Sequence, residues 1–290
     1  MQTYRGRFAP SPTGSLHLGS LLTAIASYCD AKKNNGIWLV RIEDLDPPRE
    51  IAGASKRILK SLNNCGFDFD QNTLIQSQRL HEYQQACARL EQLNLIYRCA
   101  CTRVQLSSCT LENHRCRINN SQPANNANYS LRFKVPDKTL EFEDIIQGQK
   151  HYPLIKKCGD FVLKRRDGLF AYQLAVTVDD HFQKISHVIR GMDLIASTPW
   201  QILVHQSLYG NQPHYGHVPI LVNRQGQKLS KQTHAKEIDN ENPLDVLYQA
   251  YGYLNQTPFV KKPKTVKQFW QHAIQHWNIN TITNSASIEV

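Results

Sequence analysis

Two short loops hold the side chains best suited to chemistry. In Ala9-Pro-Ser-Pro-Thr-Gly-Ser-Leu-His-Leu-Gly-Ser20, Pro10 and Pro12 stiffen the backbone and Gly14 permits a turn that other residues resist. The loop runs into a predicted helix, where unpaired backbone N–H groups and the helix dipole attract phosphate. His17 and Ser20, beside the bare backbone of Gly19, can hold a triphosphate as charge develops on its α-phosphorus. The plainer alternative is a proline-rich turn capping an ordinary helix. Far along the chain, Lys228-Leu-Ser-Lys-Gln232 follows the glycine-containing turn Asn223-Arg-Gln-Gly-Gln227. Lys228 and Lys231, with Ser230 between them, can reach the same phosphates and stabilise the charge that builds during attack at phosphorus. Taken alone, such a segment is more often a solvated basic loop.

A third cluster lies between these loops. Residues 98–118 hold four Arg and four of the eight Cys. Cys99-Ala-Cys101, with Cys109 and Cys116 close behind, suits a tetrahedral zinc ion better than a disulfide. Such a zinc would hold the local fold and perform no chemistry. Cys29, Cys65, Cys87 and Cys158 are isolated and read as core residues.

The elements that must position these groups have an α/β pattern. A strand around Tyr4–Ala9, a helix with Leu18, Leu21, Leu22, Ile25 and Ala26 on one face, and a strand at Ile37–Ile42 form a βαβ unit. Ala54, Ile58, Leu59 and Leu62 mark a second helix, and Leu80, Tyr83, Ala86, Leu90 and Leu93 a third. Residues 97–165 read as an insertion, with strands at Leu131–Val135 and Phe161–Lys164 and an Asn-rich surface loop at Asn119–Asn128. The α/β signal resumes at Phe170–Val178 and Ile185–Ile189, then at a helix near Ser197 and a strand at His217–Val222. The expected organisation is therefore a Rossmann-type parallel-sheet catalytic domain in two halves, 1–96 and 166–232. The 97–165 insertion separates them, and a helical segment, 233–290, follows. The tail Asn278–Val290 is polar and expected to be loosely ordered.

Composition narrows the function classes. The chain has 290 residues, 34 Lys+Arg against 24 Asp+Glu, a net charge of +10 and 41% hydrophobic residues. That excludes a wholly disordered or collagenous chain and favours a polyanionic partner without proving one. No apolar signal core opens the sequence. The longest apolar stretch, near Leu21–Cys29, is far short of the roughly 20 residues of a membrane span. A cytoplasmic protein with no membrane partner is expected, and nothing demands more than a monomer.

Arg7-Phe-Ala-Pro-Ser-Pro-Thr-Gly-Ser-Leu-His-Leu-Gly-Ser20 resembles the first signature of the class I aminoacyl-tRNA synthetases, in their glutamyl/glutaminyl branch. Arg41-Ile-Glu-Asp-Leu-Asp-Pro-Pro-Arg49 and Val188-Ile-Arg-Gly-Met-Asp-Leu-Ile-Ala-Ser-Thr-Pro199 resemble later segments of that branch. Lys228-Leu-Ser-Lys-Gln232 looks like its Lys-Met-Ser-Lys-Ser signature, with both lysines kept. The resemblance implies ATP with Mg²⁺ as the activating substrate, bound by Pro12, Gly14, His17, Gly19, Ser20, Lys228, Ser230 and Lys231. His17, Lys228 and Lys231 are the catalytic candidates. It implies a glutamate pocket of Arg7, Phe8, Ala9, Pro10, Ser11, Glu43, Tyr172 and Arg190, because the planar fork of arginine suits a carboxylate. Met192 and Asp193 are placed near the ribose or adenine.

In that family the insertion often carries Cys-x-Cys, then a Tyr four residues before a further Cys. Cys99, Cys101 and Cys116 match, but Glu112 stands at the Tyr position, so the fourth ligand is open among Glu112, His114 and Cys109. The chain stops soon after the lysine segment, as in the shortened glutamyl-Q tRNA(Asp) synthetase branch. The resemblance then implies transfer of L-glutamate from an adenylate to the queuosine base of tRNA(Asp). A minimal enzyme charging a tRNA 3′ end, or a silent RNA-binding paralogue, are the alternatives. Lys261, Lys262, Lys264 and Lys267 beside Phe269, Trp270 and Trp277 read either as an RNA-contacting surface or as a solvated helix packed by its aromatics.

Overall fold

The structure is a computed structural model that describes residues 3–108, 114–119, 128–229, 238 and 241–290. Strand β1 (Arg5–Phe8), helix α1 (Leu18–Lys33) and strand β2 (Ile37–Ile42) form the expected βαβ unit. The two strands are parallel, with Arg7 opposite Leu39. Leu21, Leu22 and Ile25 of α1 are fully buried against them. Beyond the C-cap Asn34, Asn35 adopts a left-handed φ of 51° and Gly36 follows. A Cβ on Gly36 would stand 2.6 Å from the Tyr4 carbonyl oxygen, so only glycine lets the chain turn back into β2.

Helix α2 (Ala54–Asn64), strand β3 (Leu74–Ile75) and helix α3 (Leu80–Gln92) follow, with β3 parallel to β2. Strand β4 (Ile96–Cys99) opens the cysteine-bearing region, with helices α4 (Arg103–Ser107) and α5 (Arg115–Asn119) beyond it. Next come β5 (Ser130–Phe133), β6 (Thr139–Asp144), β7 (Gly148–Pro153), α6 (Leu154–Lys157) and β8 (Phe161–Lys164). The 97–165 stretch serves two sheets. Strands β4, β5 and β8 make an antiparallel sheet of their own, whereas β6 and β7 extend the parallel one.

The second half brings α7 (Tyr172–Phe182), β9 (His187–Gly191), α8 (Thr198–Tyr209), β10 (His214–Val218) and β11 (Ile220–Val222). Phe170–Val178 is thus mostly helix, and the strand expected at His217–Val222 is two strands broken at Pro219, which cannot donate to a ladder. Ser197 precedes α8 but makes no side-chain cap. Strand β9 runs parallel to β10, and β10 to β6. Strand β1 packs beside β9, where Ser186 bridges them: its N–H donates to the Arg5 carbonyl at 2.9 Å and its Oγ accepts from the Arg5 N–H at 2.8 Å. The spatial order is therefore β3-β2-β1-β9-β10-β6-β7. The direction of winding reverses between β1 and β9, and a crevice opens at the carboxyl ends of those strands.

Helices α9 (Pro243–Gly252) and α10 (Val266–Gln275) and strand β12 (Ser287–Glu289) complete the fold. Strand β12 pairs with β11, so the tail is tied into a sheet and is not the loose segment its polarity suggests. Phe269, Trp270 and Trp277 are buried. The Trp270 indole donates to the Cys65 carbonyl at 2.9 Å, and Trp277 donates to Asp30 at 3.0 Å. These rings pin the C-terminal helices onto the back of α1 and offer no face to a base. The four lysines beside them stay exposed, Lys262 in an ion pair with Asp245. Among the described residues no helix is long and apolar enough to cross a membrane.

Candidate active site

The crevice between β1 and β9 is a cavity of about 550 Å³. Of the residues singled out from the sequence, Arg7, Phe8, Ala9, Pro10, Ser11, His17, Gly19, Ser20, Tyr172, Arg190, Asp193 and Lys228 line it. Pro12, Gly14, Glu43 and Met192 do not, and Ser230 and Lys231 lie outside the described residues.

One end of the cavity is built for anions. His17 is the N-cap of α1: its Nδ1 accepts from the Ser20 N–H at 3.3 Å, and its Nε2 lies 3.1 Å from Ser20 Oγ. A Cβ on Gly19 would stand 3.3 Å from the His17 ring, a tight contact that the bare residue avoids. The lysine segment crosses this helix start. The Leu229 N–H donates to the Leu221 carbonyl at 2.8 Å, and Lys228 pairs with Asp193 at 2.6 Å. Helix dipole, imidazole, hydroxyl and ammonium thus converge on one space, as a polyphosphate requires.

The other end is built for a carboxylate. Arg7 is buried, and the one hydrogen-bond partner of its side chain among the described residues is Asp180, 3.4 Å from Nε. Asp180 is also held by the fully buried Arg41 at 2.8 Å, and Arg41 in turn reaches Glu43 at 3.2 Å. Burial works to raise the Asp180 carboxyl, but Arg41 and Arg7 outweigh it, so it lies below the usual carboxylate range. Burial wins at Glu43, which is raised although Arg41 and Arg7 pull it down. Glu43 therefore stands behind the cavity wall as a partner of Arg41. Its carboxylate also lies within the electrostatic reach of Arg7, which lines the cavity. Asp180 carries no local signature, since it sits in the last turn of α7 and meets Arg7 from 173 positions away.

Arg190 stands near the end of β9, the strand packed beside β1, which carries Arg7. Its Nε donates to His217 at 3.0 Å, Nη1 to Gln201 at 2.7 Å and Nη2 to Thr198 at 2.8 Å. Longer bonds run from Nη1 to the Tyr172 hydroxyl, 3.3 Å, and from Nη2 to the Leu194 carbonyl, 3.4 Å. No carboxylate among the described residues pairs with this buried cation.

A second cluster lies in the β4–α5 region. One ligand atom each from Cys99, Cys101, His114 and Cys116 falls within 4.8 Å of all the others. His114 Nε2 is 3.5 Å from the sulfurs of Cys99 and Cys101, and the Cys101 and Cys116 sulfurs are 3.5 Å apart. Tetrahedral bonds of about 2.0–2.3 Å put ligands roughly 3.3–3.8 Å apart, so a Cys₃His set fits a zinc ion. The Tyr97 hydroxyl donates to Asp160 at 2.9 Å, which leaves its oxygen to accept from His114 Nδ1 at 3.1 Å. That tautomer turns the lone pair of Nε2 toward the thiols. Of the three open candidates for the fourth ligand, the structure brings up His114; Glu112 and Cys109 lie outside the described residues.

Residues 3–257 match the catalytic domain of the class I tRNA synthetases of the E and Q type. The chain is 43% identical to a glutamyl-Q tRNA(Asp) synthetase of Neisseria meningitidis serogroup C (strain 053442), over 98% of both chains. Identity with the glutamyl-Q tRNA(Asp) synthetase of Escherichia coli O157:H7 is 42%, over 98% of this chain and 92% of that one. A glutamate tRNA ligase from Elizabethkingia meningosepticum CCUG26117, crystallised with its amino acid, superimposes with a TM-score of 0.83 at 25% identity. That match covers 99% of this chain and 67% of the ligase. The glutamate-tRNA synthetase of Elizabethkingia anophelis gives 0.84, again at 25% identity, over 100% of this chain and 68% of that one. By fold, crevice and sequence, the chain belongs to the class I tRNA synthetases of the E and Q type, in the glutamyl-Q tRNA(Asp) synthetase family, and is a ligase.

Proposed function

We propose that this enzyme activates L-glutamate with ATP and Mg²⁺, then transfers the glutamyl group to the queuosine base of tRNA(Asp) in the cytoplasm. One observation carries the first step. A single crevice is lined by two buried guanidinium groups, from the neighbouring strands β1 and β9, and by the start of α1 with His17 and Lys228. Glutamate has two carboxylates and can meet both arginines, whereas glutamine offers a single one.

In the activating step a glutamate carboxylate oxygen forms a bond to the α-phosphorus as the bond to the pyrophosphate oxygen breaks. The products are glutamyl-adenylate and pyrophosphate. In the transfer step a hydroxyl of the queuosine cyclopentene ring attacks the acyl carbon and AMP departs. No side chain need act as nucleophile, so catalysis rests on alignment and on charge stabilisation. His17, Ser20, Lys228 and Lys231 would steady the phosphates, and Arg7, Ser11, Tyr172 and Arg190 would hold the amino acid. Mg²⁺ would enter as the counter-ion of the triphosphate. The Cys99, Cys101, His114 and Cys116 set would bind zinc and stiffen the region around β4 and α5. The second step is supported by the names of relatives that match nearly the whole chain.

The test is an acceptance assay with ATP, labelled glutamate and tRNA(Asp) purified with or without queuosine. Label on the modified tRNA alone is expected. Equal acceptance by tRNA lacking queuosine would show charging at a 3′ end and overturn the proposed acceptor.

A further inference from the structure

The three ends β9, β10 and β6 lie side by side and carry Arg190, His217 and Asp144. Arg190 and His217 are direct register partners in the parallel pair β9/β10. Asp144 closes β6, and its Oδ2 lies 2.5 Å from His217 Nδ1. Both side chains of that pair are completely buried, and neither lines the cavity.

Hydrogen-bond accounting fixes the tautomer of His217. Asp144 Oδ1 accepts from the backbone N–H groups of Ile146, Gln147 and His217 at 2.8–3.1 Å. Burial works to raise this carboxyl, but the bonds from His217 and the backbone hold it below the ordinary carboxylate value. An ionised carboxylate only accepts, so His217 Nδ1 must carry the proton. Nε2 is then a lone pair, and it takes the Nε–H of Arg190 at 3.0 Å, with the Thr198 hydroxyl at 3.1 Å. The opposite tautomer would set an N–H against the Arg190 Nε–H.

The lengths of the Arg190 bonds sort by direction. The three short ones, at 2.7–3.0 Å, run to Gln201, Thr198 and His217, none of which lines the cavity. The two long ones, at 3.3 and 3.4 Å, run to Tyr172 and Leu194, which do. The guanidinium is therefore gripped from behind, leaving one weakly held N–H on each terminal nitrogen facing the cavity. That is the fork a carboxylate takes bidentately.

We propose that Asp144 and His217 are positioning residues for amino-acid recognition: Asp144 sets the His217 tautomer, and His217 sets the edge that Arg190 presents to a substrate carboxylate. The inference rests on reading Arg190 as a carboxylate partner of glutamate. It adds that the selectivity of the site is held by two residues that never touch the substrate.

The test is glutamate-dependent ATP–pyrophosphate exchange by the full chain and its variants. Asp144→Asn is isosteric and keeps an oxygen for the three backbone donors, but its amide faces His217 Nδ1 and inverts the tautomer. The expected result is a rise in glutamate KM of about tenfold or more with ATP KM unchanged. In a His217→Leu background, where neither a tautomer nor an amide can invert, the same change should add less than about twofold. An unchanged glutamate KM in Asp144→Asn overturns the inference. So do a parallel rise in both KM values and full additivity in the double variant. If Asp144→Asn fails to fold, His217→Gln, which keeps an acceptor for Arg190, is set against His217→Leu, which does not. A higher glutamate KM in the leucine variant supports the inference, and equal values overturn it. Wild-type protein without glutamate-dependent exchange would instead remove the reading of the site on which the inference stands.

Discussion

Lys228 Nζ sits 2.6 Å from Asp193 Oδ2 at the mouth of the crevice, with both side chains more than one-third exposed. An ion pair that open contributes well under about 1 kcal/mol, so the phosphates of a nucleotide can take the ammonium from Asp193 at little cost. Lys228→Ala should lower kcat for pyrophosphate exchange by about a hundredfold, the scale of losing one preorganised charge partner in the transition state. The thermal unfolding midpoint should hardly move. A variant with wild-type kcat would take Lys228 out of the reaction.

Arg7 provides the second test. Its hydrogen bond within the protein, to Asp180 through Nε, is long at 3.4 Å, and Asp180 has a closer partner in Arg41 at 2.8 Å. The terminal nitrogens of Arg7 are therefore available to the cavity that it lines. Arg7→Lys keeps the charge but loses the planar fork. Glutamate KM is expected to rise about tenfold to a hundredfold, with ATP KM close to that of the parent. Initial-rate measurements that vary each substrate separately decide the matter, and an unaltered glutamate KM would move the carboxylate elsewhere.

The parts of this site legible in the sequence are those whose meaning is local. The loop from Ala9 to Ser20 could be picked out because Pro10, Pro12, Gly14, His17 and Gly19 follow one another at the start of a helix, and His17 and Gly19 do line the cavity. Strand Ile37–Ile42 was legible because an apolar run follows the Asn34-Asn-Gly36 turn. Strand β6 was not recognised, although its alternating burial is plain once seen, because Thr139, Glu141 and Glu143 make the segment look like loop. Asp180, Asp144 and His217 could not be read at all. Each is an ordinary residue in its own segment, and Asp144 meets His217 across 73 positions. Glu43 was legible as part of a motif, but its ion pair with the buried Arg41 was not.

The cysteine cluster predicts a metal content. Elemental analysis of the purified protein should find one zinc per chain, and removal by a chelator should destabilise the fold around β4 and α5. Tyr97→Phe deletes the hydroxyl that accepts from His114 Nδ1 and donates to Asp160, but leaves all four ligand atoms in place. Loss of such a supporting contact typically weakens metal binding about tenfold to a hundredfold. Competition against a chromophoric chelator measures this without reference to catalysis. Equal affinity in the parent and Tyr97→Phe would show that the Tyr97 bond does not orient the histidine.

The same buried row that positions Arg190 predicts how stability depends on pH. Burial pushes His217 down to about 4, with the Asp144 hydrogen bond opposing and the charge of Arg190 reinforcing the shift. In an unfolded chain the imidazole titrates near 6.5. The folded value lies below the unfolded one, so between these limits the unfolded chain binds the proton and the folded protein does not. The contribution of His217 is thus complete above about pH 6.5 and is lost as pH falls toward 4. Between pH 7 and pH 5 the loss should be about 2 kcal/mol. His187, lowered to about 4 by burial and by His214, slopes the same way and must be subtracted. His217→Gln makes that subtraction, because His187 is present in both proteins. Urea unfolding at the two pH values should show the parent losing about 2 kcal/mol more than the variant. Parallel losses would mean that His217 takes up a proton in the folded state as readily as in the unfolded one, which a neutral acceptor for Arg190 cannot do.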